Sequence, residues 1–295
     1  GDGPGVPEPR AFPNRPTADL RWYLFGSNQF GGGVSNAHNG VMAYEHAYQG
    51  VEARKAYFFM GDAMVCMGSG IKAARTQEVR TSVNQCLANG EVTYGLSGHT
   101  YRLTNNLSDK NIDWAYHDNV GYIFPQNESV TLRKAKQTGA WRELEVTASD
   151  KPVTKEIFSL WVSHGTTPQH EDYCYIIMPD KPLSYFTDKK FENEIKIIVN
   201  SEQIQAISNE NKKQYAAVFY EPGEIRFAED LVVAVNKKVI IYIEKKDKQY
   251  EIAVADPLYK EQSLQLSMNG EQINIVFPSG DYSGSSVIKH ITEKH

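Results

Sequence analysis

The segment GGGVSNAHN, residues 31–39, gathers uncharged hydrogen-bonding side chains: Ser35, Asn36, His38 and Asn39 fall within five positions. A hydroxyl, two amides and an imidazole so spaced offer donors and acceptors to a polar ligand without a fixed charge. Gly31, Gly32 and Gly33 remove side chains where the backbone must bend or a ligand must approach closely. The run therefore reads as a substrate-facing loop held on a rigid support. The competing reading is a turn whose polar side chains satisfy their own backbone.

Fixed charge comes next, at Arg54 and Lys55. Alternation along a strand sends adjacent side chains to opposite faces, so at most one of the pair points into any one site. Pairing with Glu45 or Glu52 is the structural alternative. Glu171, Asp172 and Asp180 are oxygen ligands of the kind calcium takes, but no loop has a calcium-ligand spacing, and a solvated acidic turn is the simpler reading. The eight histidines form no zinc motif, and no Gly-x-Ser-x-Gly elbow announces a serine nucleophile. Cys66, Cys86 and Cys174 are an odd set in apolar surroundings, which suits buried free thiols and fixes no redox compartment.

The elements that must hold these residues are strands. β-rich runs occupy 41–44, 57–59 and 64–67 directly after the glycine-rich loop. Further short apolar segments follow at 92–94, 120–124, 143–146, 157–162 and 173–178, separated by turn residues. Residues 81–87 read as a short helix or another strand, and no 3.6-residue period is sustained anywhere. Five prolines before position 17 argue for an extended arm over residues 1–20. The charged stretch DKKFENEIK near 188–196 marks a boundary, and eight more apolar runs lie beyond it, with tight turns at Lys237-Lys238, Lys245-Lys246 and Asn269-Gly270. The expected fold is all-β, with a large antiparallel β-sandwich over 21–192 followed by a smaller C-terminal β-sandwich over 193–295.

With 295 residues, 41% hydrophobic and 11% aromatic, the chain can bury a sizeable core. A net charge of −5 gives no reason to expect nucleic acid as a partner, and a polyanion would need a locally built basic patch. No apolar run approaches the roughly 20 residues of a membrane-spanning helix.

Several spaced blocks resemble polysaccharide lyase family 8, the family of chondroitin, hyaluronate and xanthan lyases. They are Gly32-Gly33-Val34-Ser35, Gly40-Val41, Ala53-Arg54-Lys55-Ala56-Tyr57-Phe58-Phe59 and Val65-Cys66-Met67-Gly68-Ser69-Gly70-Ile71. Later come Pro152-Val153-Thr154, the stretch from Trp161 through His164-Gly165 to Pro179, and Ala255-Asp256-Pro257. The resemblance runs from about residue 25 to the end and implies a central super-sandwich plus the C-terminal domain. It further implies cleavage of uronic-acid-containing glycosaminoglycans by β-elimination. A base removes the proton beside the uronate carboxyl, and that carboxylate must be neutralised as charge develops on it.

In that family the Asn, His, Tyr and Arg of the reaction lie mostly on an N-terminal helical toroid, for which a chain that is β-rich nearly from its start has no room. The resemblance thus implies the C-terminal portion of a longer enzyme, inactive alone, whose partners are the polysaccharide and the toroid of the same protein. It implies no required cofactor, and a secreted or periplasmic location follows from a polymeric substrate. By position in the matched loop, Asn36 and His38 are the candidates for a supporting catalytic role. Ser35, Asn39, Arg54 and Trp22 are the candidates for substrate binding. Where the family often presents a Glu, this loop is neutral, which favours the alternative of a noncatalytic carbohydrate-binding or structural β-sandwich. Trp161, among Phe158, Leu160 and Val162, is expected in the core.

Overall fold

The structure, a computed structural model, describes residues 28–74 and 76–293. The proposed arm over 1–20 and Trp22 lie outside the described residues. The described chain is built from strands that pair only antiparallel, in four sheets of nine, four, six and four strands. β1 (Gly31–Ser35), β2 (Gly40–Tyr48), β3 (Val51–Met60) and β4 (Ala63–Ala73) form one flank of the nine-stranded sheet in sequence order.

Residue alternation stacks the sheets. Along β3, Ala56 and Phe58 enter a core shared with the six-stranded sheet, where they meet Ile207, Val218, Ile240 and Tyr242. Ala53, on the opposite face of the nine-stranded sheet, enters a second core under the strands Arg80–Leu87, Val130–Gly139 and Val153–Ser163. A third core lies between the far face of the six-stranded sheet and the last four-stranded sheet, with Ile241, Ile243, Val233 and Leu266. Sheets covered on both faces need strands apolar at every position, and Gln214–Phe219 is buried throughout. Such continuous runs are why the C-terminal half reads as unbroken hydrophobic blocks.

Residues 81–87 belong to the strand Arg80–Leu87, and Trp161 is buried as expected. Asn269-Gly270 makes a hairpin turn with φ of 51° and 85°, the left-handed pair that asparagine and glycine favour. Two expectations are corrected. Lys245-Lys246 still belongs to the strand Val239–Lys246, and the turn falls two residues later, where Asp247 takes positive φ. Residues 143–146 are not a strand: a 3-10 turn at Trp141–Glu143 leads into a loop in which Leu144 and Val146 stand exposed, since no sheet lies opposite to bury them. The acidic trio does not converge either. Glu171 opens the strand Glu171–Pro179 and Asp180 follows its end, about 30 Å away at strand rise.

Between that strand and Lys196–Asn200 sits the short helix Leu183–Thr187, whose Phe186 is fully buried against Gly121. A Cβ on Gly121 would overlap the Phe186 ring. Gly121→Ala is therefore expected to lower stability by about 1–3 kcal/mol through overpacking, read as a reduced urea midpoint with an unchanged m-value.

Glu128 caps an open position in the same sheet. Its carboxylate, only 6% exposed, accepts the Cys174 N–H at 2.7 Å, and burial pushes its pKa up from 4.5 to about 7. The folded state thus holds a proton that the unfolded chain has already lost. Its contribution to stability is full below pH 4.5 and fades as pH rises through about 7. Glu128→Gln should remove a pH-dependent loss of roughly 2–3 kcal/mol over that window. Parallel wild-type and variant stability curves across it would contradict this.

Candidate functional site

β1 is the edge strand of the nine-stranded sheet, and its glycines have a packing cause. Asp256, 2% exposed, accepts the N–H groups of Leu258, Lys260 and Glu261 at 2.7–2.8 Å and so folds the turn after Ala255. That turn lies on β1: Pro257 accepts the Gly31 N–H at 3.0 Å, and a Cβ on Gly32 would stand 3.3 Å from Pro257 Cα and 3.5 Å from the Tyr259 hydroxyl. Across the β1–β2 pair, a Cβ on Gly33 or Gly40 would come 2.9 Å or 2.7 Å from a neighbouring carbonyl oxygen. The result is a strand without side chains along most of its length.

Over this floor runs a groove of about 680 Å³. His38, Met42, Tyr44, Phe59, Tyr259 and Ser286 line it together with the glycine backbone. Met42, Phe59 and Tyr259 are 47%, 46% and 53% exposed, so large apolar surface stands open to solvent there. An apolar and aromatic rim over a bare backbone floor suits a flat ligand with one apolar face, such as a sugar ring. No residue of β1 or β2 enters the core under the outer four-stranded sheet. Among the described residues, none in that core covers this face of the flank.

The loop after β1 is stapled from far along the chain. The Asn36 amide donates to Glu251 at 2.8 Å and to Glu244 at 3.2 Å, while its carbonyl oxygen accepts the N–H groups of Asn39 at 2.9 Å and His38 at 3.2 Å. Ser286 accepts the Ser35 N–H at 3.0 Å, the Ser35 hydroxyl accepts the Ala37 N–H at 2.9 Å, and Ala37 sits in the left-handed region at φ 75°. Hydrogen bonds from Asn36 and then His290, against opposing burial, hold Glu251 below the usual carboxylate range. Asn39 accepts the Gly61 N–H at 2.8 Å, joining the loop to the next hairpin.

The sequence candidates therefore separate. Ser35, His38 and Asn39 line the groove. Asn36 is buried, with its amide holding the loop to the six-stranded sheet and its carbonyl oxygen closing the loop on itself. Arg54 faces that sheet as well: it donates to the Glu202 carbonyl, pairs with Glu45 at 3.3 Å and lies 5.2 Å over the Tyr220 ring. Trp22 lies outside the described residues. His164 is a folding residue: buried, bonded to Thr81 at 2.8 Å and lowered by burial to about 4, it is neutral at physiological pH.

Groove residues absent from the sequence reading include Met42, Tyr44, Phe59, Tyr259 and Ser286. Their alternation with buried Val41, Ala43 and Phe58 was a signal for the first three. Nothing local marks the last two. Among the described residues, no group of three or more His, Cys, Asp or Glu is placed to hold a metal ion, and no helix is long and apolar enough to cross a membrane.

Residues 4–190 match the super-sandwich domain of polysaccharide lyase family 8, and residues 196–265 match that family's C-terminal beta-sandwich domain. The chain belongs to polysaccharide lyase family 8. Chondroitinase-AC of Pedobacter heparinus is 31% identical over 295 aligned residues, covering 96% of this chain and 41% of that protein. A hyaluronate lyase of Thermasporomyces composti is 24% identical over 245 residues, covering 80% of this chain and 30% of that one. A solved chondroitinase AC lyase, with its active site defined by oligosaccharide complexes and mutagenesis, superimposes with a TM-score of 0.83 at 29% identity. That match covers 90% of this chain and 40% of the other. Paenibacillus xanthan lyase shares the fold at a TM-score of 0.79 and 19% identity, over 90% of this chain and 29% of the other. This family 8 chain thus spans less than half the length of the curated relatives it matches.

Within the family 8 sandwich, the loop staple gives a direct test. Asn36→Asp would set a third carboxylate against Glu244 and Glu251 and remove the amide donor. A loss of about 1–2 kcal/mol at neutral pH is expected, partly recovered on acidification as the carboxylates protonate, read by thermal midpoints at both pH values.

Proposed function

We propose that this chain forms one wall of the glycan cleft of a polysaccharide lyase that cleaves uronic-acid-containing glycosaminoglycans by β-elimination. The observation that carries this reading is its likeness to a chondroitinase along 96% of its length, across both β-domains. The groove over β1 and β2 supports it chemically, because its aromatic rim offers faces for sugar rings and its glycine floor lets a chain lie close.

The division of labour follows from what the groove holds. Among the described residues that line it, the uncommitted titratable side chains are His38 and Tyr259, and Asn36 is already spent on the loop. Proton abstraction and neutralisation of the uronate carboxylate then fall to residues supplied from outside these sheets, on a helical toroid of the same protein. The wall orients the polymer and holds the other half of the cleft in register. A polymeric substrate places the enzyme outside the cytoplasm, in the periplasm or the medium.

Purified 295-residue chain incubated with chondroitin sulfate or hyaluronan is expected to produce no new ultraviolet absorbance from unsaturated uronide. A longer polypeptide carrying the toroid upstream should produce it on the same substrates. Turnover by the short chain would overturn the division of labour. Glycan binding by the longer protein without turnover on any uronate polymer would favour a noncatalytic binding role.

A further inference from the structure

Arg54 and Lys55 are adjacent in sequence, and strand alternation sends them to different environments. Arg54 is consumed between the sheets. Lys55 lies on the other face, opposite Tyr44 of β2 and Gly68 of β4. Its register partner Tyr44 is part of the groove lining, so Lys55 stands next to the groove on the same face of the sheet. Tyr44 and Tyr57 stack there with ring centroids 6.4 Å apart.

Lys55 is half-buried and has no carboxylate partner among the described residues. The nearest acids on its strand and the one beside it are taken, Glu45 by Arg54 and Glu52 by Lys72 at 2.9 Å. The groups that face it are His46 and Tyr44 from β2, Tyr57 from β3, Cys66 from β4, and His164 and Tyr173 from the strands beyond. None is a carboxylate. Burial lowers the Lys55 pKa against the smaller opposing effect of Cys66, and burial followed by the Lys55 charge lowers His46 and His164. Burial, followed by the neighbouring Tyr44, also raises Tyr57, whose hydroxyl is hydrogen-bonded to Tyr44 and Tyr173. A partly desolvated ammonium among neutral donors is costly without a counter-ion and complementary to one.

We propose that Lys55, paired in register with the groove-lining Tyr44, is the subsite that takes an anionic group of the glycan, a carboxylate or a sulfate. The inference rests on the reading that the groove faces an acidic polysaccharide. It assigns the charge recognition of this wall to Lys55 and the structural role to Arg54.

The test is calorimetric or NMR titration of the 295-residue chain with defined oligosaccharides of hyaluronan, chondroitin sulfate and carboxyl-reduced, unsulfated chondroitin. Wild type should bind the acidic glycans and bind the neutral one far more weakly. Lys55→Gln should lose roughly tenfold or more in affinity for the acidic glycans, with Lys55→Arg retaining part of it and Lys72→Gln unchanged. Equal losses on hyaluronan and chondroitin sulfate identify a carboxylate, and a loss confined to the sulfated chain identifies a sulfate. Wild-type affinity should also fall as pH rises through a midpoint below that of an ordinary lysine, a readout independent of whether any variant folds.

Wild-type affinity in Lys55→Gln, or a pH-independent wild-type affinity in the alkaline range, overturns the subsite and leaves the cleft-wall reading intact. Failure of wild type to bind any of the three glycans overturns the cleft-wall reading itself.

Discussion

The core between the nine-stranded and six-stranded sheets is the constraint on which the molecule depends. Each of these sheets buries apolar side chains on both faces, so neither can present its inner face to water, and the side chains at their contact are as buried as those inside either sandwich. Phe58, Val65 and Met67 from one side and Val218, Ile240 and Tyr242 from the other are all essentially inaccessible. The two family regions of the chain are joined by this core, and the groove is positioned by that joint.

Apolar contact alone does not fix how two flat faces are set against each other. A buried polar network does so here: Gln205 donates to Asn200 at 2.8 Å and to Ser69 at 3.3 Å and accepts the Tyr220 hydroxyl at 2.8 Å. Asn200 in turn donates to the carbonyls of Gly68 and Tyr173. Each partner is satisfied only in one alignment of the sheets, because a slip would strand buried donors without acceptors. The turn held by Asp256 and the staple from Asn36 extend the same alignment to the sheet edge, where the groove opens.

Polar residues near the groove thus divide into those already spent and those still available. Asn36, Arg54 and Asp256 complete hydrogen bonds or ion pairs within the fold, and their chemistry is used up in holding it. His38, Tyr259 and Lys55 are not so bound. A cation with no carboxylate partner among the described residues is where an anionic ligand would be felt most strongly, since no described acid competes for it.

Most of the fold was legible in the sequence because its determinants are local. Unbroken apolar runs such as Gln214–Phe219 mark strands covered on both faces, Asn269-Gly270 specifies its turn by backbone preference, and Trp161 lies among apolar neighbours. Residues 143–146 were misread because hydrophobic content predicts burial only if a partner surface exists. The candidate site was legible in part. The sequence by itself determined the all-β class, the glycine-rich strand and the adjacent pair Arg54 and Lys55 that must face opposite ways. Only the tertiary structure decided which of the two is free, that Asn36 is held by acids more than 200 positions away, and that Tyr259 and Ser286 close the groove. Such pairings are set by which sheet faces stack, and that depends on the sum of apolar contacts over the whole chain.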